Sequence, residues 1–239
     1  MTIIEIKNLS HCFPDGSLGL DNVSLTIQKG EFVIITGENG SGKTTLLRHL
    51  NGLLSPDKGE ALVAGVSVRE NPIRARRLVG MVFQDADSQI VGETVFEEIA
   101  FGPENLRLEK EEIDRRVLDA LNITGLAGLA EKRPHLLSGG EKRRLAIAGI
   151  LAMEPEIILF DEPFSNLDYP GTIQVTEQIR ALQKMGRTII ITTHDPEKMA
   201  SHADLLVIMQ QGKIIELFKP GMAPTDMRKF GVNFSGAFF

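Results

Sequence analysis

The sequence predicts an α/β fold: a mostly parallel sheet covered by helices, with an N-terminal antiparallel β subdomain and a helical insertion. Three observations carry that prediction. Short β-branched runs alternate along the chain with segments of helical character, as strands and their covering helices do in a parallel sheet. About the first thirty residues break the alternation, with two strand-like pieces around the turn-rich PDGSLG. The 239 residues suffice for one large domain with a sizeable core and are short for two. The chain therefore reads as a single domain over 1–239, with a helical subdomain at about 86–155 and a short tail at 220–239.

In chain order, residues 3–9 and 23–27 read as the antiparallel pair. The apolar runs 32–36, 78–83, 157–160 and 188–193 read as strands buried on both faces. Ile113, Val117, Leu118 and Leu121 recur at helical spacing through a charged stretch, which predicts an amphipathic helix ending near Gly125. Thr94 with Glu97, and Ser138 with Glu141, have the spacing of capping boxes that open helices. From Pro220 onward Gly, Pro, Met and Phe mix without a period, which suits a docking tail or a loosely packed end.

Composition excludes several classes. At 42% hydrophobic and 24% charged the chain is neither disordered nor fibrous. Apolar runs such as 205–209 fall far short of the ~20 residues of a membrane helix. The N-terminal MTIIEIKNLS has neither the basic nor the long apolar region of a secretory signal, so a cytoplasmic location is expected. With 32 acidic against 26 basic residues the net charge is −6, and nucleic acid is not expected as a partner. The single cysteine, Cys12, cannot pair within the chain and is expected to be a small packing residue.

Residues 37–44 read GENGSGKT, between a buried-strand run and the helix-like TTLLRHLNG. A phosphate-binding loop requires that context. Gly37, Gly40 and Gly42 let the backbone wrap closely, so that its N–H groups and the positive end of the next helix face the β- and γ-phosphates. Lys43 adds a point charge, and Thr44 a hydroxyl suited to Mg²⁺, which prefers oxygen ligands. The alternative is an ordinary glycine-rich turn, but the four specified positions coincide by chance on the order of 10⁻⁵ per position, so the functional reading wins.

The run 157–160 ends abruptly in Asp161 and Glu162. In open parallel sheets ligands gather outside the carboxyl ends of the strands, where the phosphate loop and this pair would both sit. Asp161 would orient Mg²⁺ through water and Glu162 would polarise an attacking water; a solvated acidic pair is the competing reading. Runs 188–193 and 78–83 end in His194 and Gln84, which would face the same crevice or be plain surface residues. In LSGGE, residues 137–141, a capping box accounts for Ser138 and Glu141. It leaves Gly139 and Gly140 unexplained, and bare backbone at a helix start is a second anion site.

In this order and spacing the motifs resemble those of the ABC ATPase superfamily, over about residues 1–217. GENGSGKT resembles Walker A, Gln84 the Q-loop, LSGGE the signature, ILFDE Walker B, SNLD at 165–168 the D-loop with Asp168, and His194 the switch histidine. The resemblance implies the P-loop ABC ATPase fold, ATP hydrolysis, and ATP and Mg²⁺ as cofactors. It implies ATP held by Phe13, Gly37, Glu38, Asn39, Gly40, Ser41, Gly42, Lys43, Thr44, Thr45 and Gln84, and Mg²⁺ held by Thr44, Gln84 and Asp161. Glu162 and His194 become catalytic; Ser138, Gly139, Gly140 and Glu141 are offered in trans to a second ATPase subunit, a copy or a paralogue. Phe13 takes the place of the aromatic that stacks on adenine, against its plain reading as a core residue, and Glu141 replaces the commoner Gln.

A narrower resemblance lies in FQDADSQIVGETVFEEIAFGPENL, which is similar to the ATPases of energy-coupling-factor and cobalt-type importers of vitamins and metal ions. It implies integral membrane transporter subunits as partners and a peripheral place on the cytoplasmic face of the cell membrane. Segment 85–106 would dock them, with Phe96 and Phe101 as anchors or as packing residues of the capped helix. A soluble ABC ATPase of cytoplasmic assembly, such as that of iron–sulfur clusters, would share the same motor.

Overall fold

The computed structural model describes residues 1–219, 221–222 and 227–232. Strands β1 (Thr2–Cys12) and β2 (Leu18–Gln28) pair antiparallel, longer at both ends than the sequence suggests. They join β4 (Lys58–Val63) and β5 (Val66–Ser67) in a sheet of order β2-β1-β4-β5. β4 escapes a sequence reading because its first three residues, Lys58, Gly59 and Glu60, are exposed and charged or small.

The second sheet has the order β10-β9-β3-β8-β7-β6. β3 (Phe32–Thr36), β6 (Val79–Val82), β7 (Ile157–Asp161), β8 (Thr188–Thr192) and β9 (Leu205–Gln210) run parallel, and β10 (Lys213–Phe218) closes one edge antiparallel. The apolar runs hide a period of two, because both faces are covered. Val33, Ile35, Ile157, Leu159 and Ile190 face α1 (Lys43–Leu50) and the first sheet, whereas Phe32, Ile34, Ile158, Phe160, Ile189 and Ile191 face α6 (Tyr169–Lys184). The expected strand 78–83 begins one residue late, since α2 (Pro72–Leu78) carries its helix up to Leu78.

Between β6 and β7 lie α3 (Val95–Asn105), α4 (Lys110–Thr124) and α5 (Gly139–Ala152), packed on one another through Val95, Ile99, Val117, Leu121, Leu145 and Ala148. The Thr94–Glu97 and Ser138–Glu141 capping boxes both form. α4 stops at Gly125, which takes the left-handed conformation at φ 66°. Its Leu118 is 56% exposed, outside the buried stripe of Val117 and Leu121. Cys12 is also exposed, at the end of β1 with its N–H donating to the Asp57 carboxylate at 2.6 Å, which corrects its reading as a packing residue. In the tail, Met227 and Val232 are buried in the core; positions 220, 223–226 and 233–239, where a docking tail is expected, lie outside the described residues.

Register positions the site. Ile35 and Asp161 both pair with Thr192, and Val82 pairs with Phe160. The four strands therefore end side by side, and the chain leaving them carries Gly37, Glu162, His194 and Gln84 out at one edge.

Candidate functional site

At that edge Phe13, Leu18, Gly19, residues 39–45, Gln84, Glu162 and His194 line a cavity of about 420 Å³. The loop can exist only with glycine at two positions. Gly37 has φ 144°, and a Cβ there would come within 2.0 Å of the Met209 carbonyl oxygen; at Gly42, φ 101°, it would come within 2.8 Å of the Gly19 carbonyl. Gly42 opens α1, and no side chain caps that first turn, so the positive end of the helix is left for an anion.

The Lys43 ammonium is buried and donates to the carbonyls of Gly37 and Glu38 at 2.8 and 2.9 Å. Burial lowers its pKa from the ordinary lysine value, and the charges of Glu162 and Asp161 oppose that shift. Gly37 and Glu38, expected to hold ATP, do not line the cavity; their carbonyls hold the Lys43 ammonium, and a Cβ at Gly231 in the tail would strike the Glu38 carboxylate. Phe13 is half-buried and lines the cleft; the His11 ring meets it edge-on, with centroids 5.0 Å apart.

Asp161 is buried, and its Oδ1 accepts from the hydroxyls of Thr44 at 2.9 Å and Thr192 at 2.7 Å. Two adjacent corners of a magnesium octahedron with ~2.1 Å bonds lie about 2.9–3.0 Å apart, so the Thr44–Asp161 oxygen pair fits that ion directly or through retained water. Gln84 is exposed and lines the cavity along with Thr44; Asp161 is not among the lining residues and reaches it through the Thr44 hydroxyl.

Glu162 has φ 47°, a strained backbone for a residue with a side chain. Its N–H is held by the Thr192 carbonyl at 3.1 Å and hydroxyl at 3.2 Å, which turns the carboxylate away from the strand. One oxygen lies 2.9 Å from His194 Nδ1. Burial raises the Glu162 pKa, while His194 and Lys43 pull it back. A carboxylate raised in this way is a better proton acceptor than an ordinary surface glutamate.

The signature residues are elsewhere. Ser138, Gly139, Gly140 and Glu141 line a separate cavity of about 500 Å³ with Arg144, Asn166, Asp168 and Pro170, and the two cavities share no residue. The Ser138 N–H donates to Glu141 Oε2 at 2.7 Å, and this bond holds the Glu141 carboxyl below its ordinary pKa. The charge that replaces glutamine therefore closes the helix start. Asp168 Oδ1 accepts from the Gly171 N–H at 2.9 Å and caps α6.

One residue of this machinery escaped sequence reasoning. Arg143, 3% exposed, donates from Nη1 to the Phe83 carbonyl and from Nη2 to the Gln84 carbonyl at 2.6 Å. Its signal was a cation on the face of α5 shared with Ala146 and Ile147, both buried.

Fold and cleft together define a phosphate-loop ATPase with a second glycine-rich helix start in a cavity of its own. The family model described as ABC transporter matches residues 20–165. The energy-coupling factor transporter ATP-binding protein EcfA of Methanocaldococcus jannaschii is 46% identical over 230 residues, 95% of this chain and 82% of that one. The structure of cbiO1 from Clostridium perfringens, part of the ABC transporter complex cbiONQ, superposes with a TM-score of 0.84 at 36% identity, over 91% of this chain and 88% of that one. The dimeric cassette MJ0796 bound to ADP and Pi gives 0.81 at 29% identity, over 91% and 98%. The chain belongs to the ABC transporter ATPase family, as an ATP-hydrolysing subunit similar to those of energy-coupling factor transporters.

Proposed function

We propose that the chain is the motor of an importer for a vitamin or metal ion, hydrolysing MgATP at sites shared between two cassettes. The observation that carries this reading is the separation of the two glycine-rich helix starts into distinct cavities of one chain. A nucleotide that needs both takes the cleft of one cassette and Ser138–Gly140 of another, a copy or a paralogue. Phe13 stacks on the base; residues 37–45 and Gln84 surround the phosphates. Thr44, Asp161 and Gln84 would hold Mg²⁺, which when bound neutralises phosphate charge. Glu162 takes a proton from the attacking water, His194 holds that carboxylate in place, and Asp168 stands beside the signature at the shared face.

Among the described residues no helix is long and apolar enough to cross a membrane. In this reading integral membrane subunits carry the substrate, and the chain is peripheral on the cytoplasmic face. Their docking place is a groove of about 510 Å³ lined by Asp87, Ile90, Gly92, Glu93, Arg133, Pro134, His135 and Lys142. The buried Glu98 carboxylate shapes it by accepting the N–H groups of Val91 and Gly92, both at 2.7 Å. Phe101 is 52% exposed and available as an anchor, whereas Phe96 packs into the helical layer. A hot-spot aromatic is worth about 2 kcal/mol, or roughly 30-fold in docking affinity. Phe101→Ala, and Glu93→Lys or Glu104→Lys on the exposed surface, are expected to lower ATP-driven transport in reconstituted vesicles while basal hydrolysis by the isolated subunit is retained. Cross-linking from 85–106 that traps a soluble assembly factor and no membrane protein would replace the importer by a cytoplasmic assembly ATPase.

A further inference from the structure

Arg143 presents a fork to two successive carbonyls, those of Phe83 and Gln84, from inside the protein. Among the described residues no carboxylate pairs with it directly; Asp85 and Asp161 are the acidic groups whose charges act on it. A buried guanidinium is costly unless its geometry is well met; here two carbonyl oxygens meet the Nη fork, while among the described residues the buried Nε has no hydrogen-bond partner. Phe83 is held from its other side as well, since its N–H donates to Gln89 Oε1 at 3.2 Å while Gln89 Nε2 donates to the Met81 carbonyl at 3.3 Å. Lys142, the preceding residue of α5, reaches Asp87 at 2.5 Å. The segment after β6 is therefore tied to α5 at three points. α5 also lies hard against β6, where a Cβ on Gly80 would come within 2.2 Å of Ile150.

The two ends of this linkage do different things. Gln84 lines the chain's own nucleotide cleft, while α5 begins with Ser138, Gly139 and Gly140, which line the other cavity. We propose that Arg143 is a positioning residue that locks the Gln84 peptide to the signature helix, so that the contents of one cleft set the placement of the signature offered to the second. This rests on the shared-site reading above. Lysine keeps the charge but loses the fork, and cannot hold two adjacent carbonyls in plane.

The test is a double-mutant cycle on steady-state ATP hydrolysis, with wild type, Arg143→Lys, Gln84→Ala and the pair, alongside ATP titration of each isolated chain. Arg143→Lys is expected to lower kcat by roughly 10- to 100-fold, as a displaced positioning group does, with ATP affinity of the isolated chain unchanged. In the Gln84→Ala background the same substitution should change kcat by less than about twofold, because the side chain through which the held peptide meets the contents of the cleft is gone. Should the arginine variant fail to fold, Gln89→Ala loosens the same peptide without touching the buried cation, and the same non-additivity is expected. Multiplying losses, or a lowered melting temperature with kcat intact, would overturn the proposal. Ser138→Arg separates the shared site from the linkage. If blocking the signature leaves turnover untouched, the shared site fails and the linkage with it; if turnover is abolished and the cycle is additive, only the linkage fails.

Discussion

Glu162→Gln is expected to lower kcat for ATP hydrolysis by about 10²–10⁴-fold, the usual contribution of a positioned general base, while ATP affinity is retained. The amide has the size of the carboxylate and can still bond to His194, so the strained turn at φ 47° and the bonds from Thr192 should survive. It cannot accept the proton of the attacking water. The same burial that makes Glu162 basic sets the sign of the pH dependence. A carboxylate whose pKa is raised is protonated sooner as pH falls, so wild-type turnover should decline at a pH above the ordinary glutamate range, and that limb should be missing from the residual activity of the variant. Steady-state rates across pH check both expectations; wild-type turnover in the variant would remove Glu162 from the chemistry.

Lys43→Ala is expected to act on binding. The ammonium sits within the loop on two carbonyls, at 2.8 and 2.9 Å, and its remaining N–H is available to phosphate oxygens. Truncating one partner of a buried charge pair costs about 2–5 kcal/mol, which is at least roughly 30-fold in Kd. Isothermal titration with ATP reads this directly. Unchanged affinity would mean that residues 37–44 do not hold the phosphates as proposed.

How far the sequence shows these features depends on what made each residue necessary. Gly37 and Gly42 stand out because backbone from β9 and from Gly19 leaves no room for a side chain. Asp161 and Glu162 stand out because a carboxylate pair closing a buried strand is costly unless a cation or hydrogen-bond donors meet it. Four of the five parallel strands were legible through their burial: both faces are covered, so their residues are apolar throughout, whereas β9 was read only as an apolar run too short for a membrane. β4 and β10 were not, since each carries exposed charged residues and is recognised only by the strand it pairs with. Arg143 was hidden because its partners are main-chain carbonyls sixty and fifty-nine residues away, and a carbonyl has no letter in a sequence. The division of the two glycine-rich helix starts between separate cavities is likewise a fact of folding, since spacing along the chain cannot say which surfaces meet.

The shared site is tested most directly by the mass in solution of Glu162→Gln with MgATP and with MgADP. On the proposed reading each nucleotide takes groups from two chains, which links ATP binding and association by mass action, and blocked hydrolysis holds the ATP state. The predicted result is a doubled mass in MgATP that reverts to the single chain in MgADP. The same mass under both conditions would contradict nucleotide-dependent association of this chain with itself.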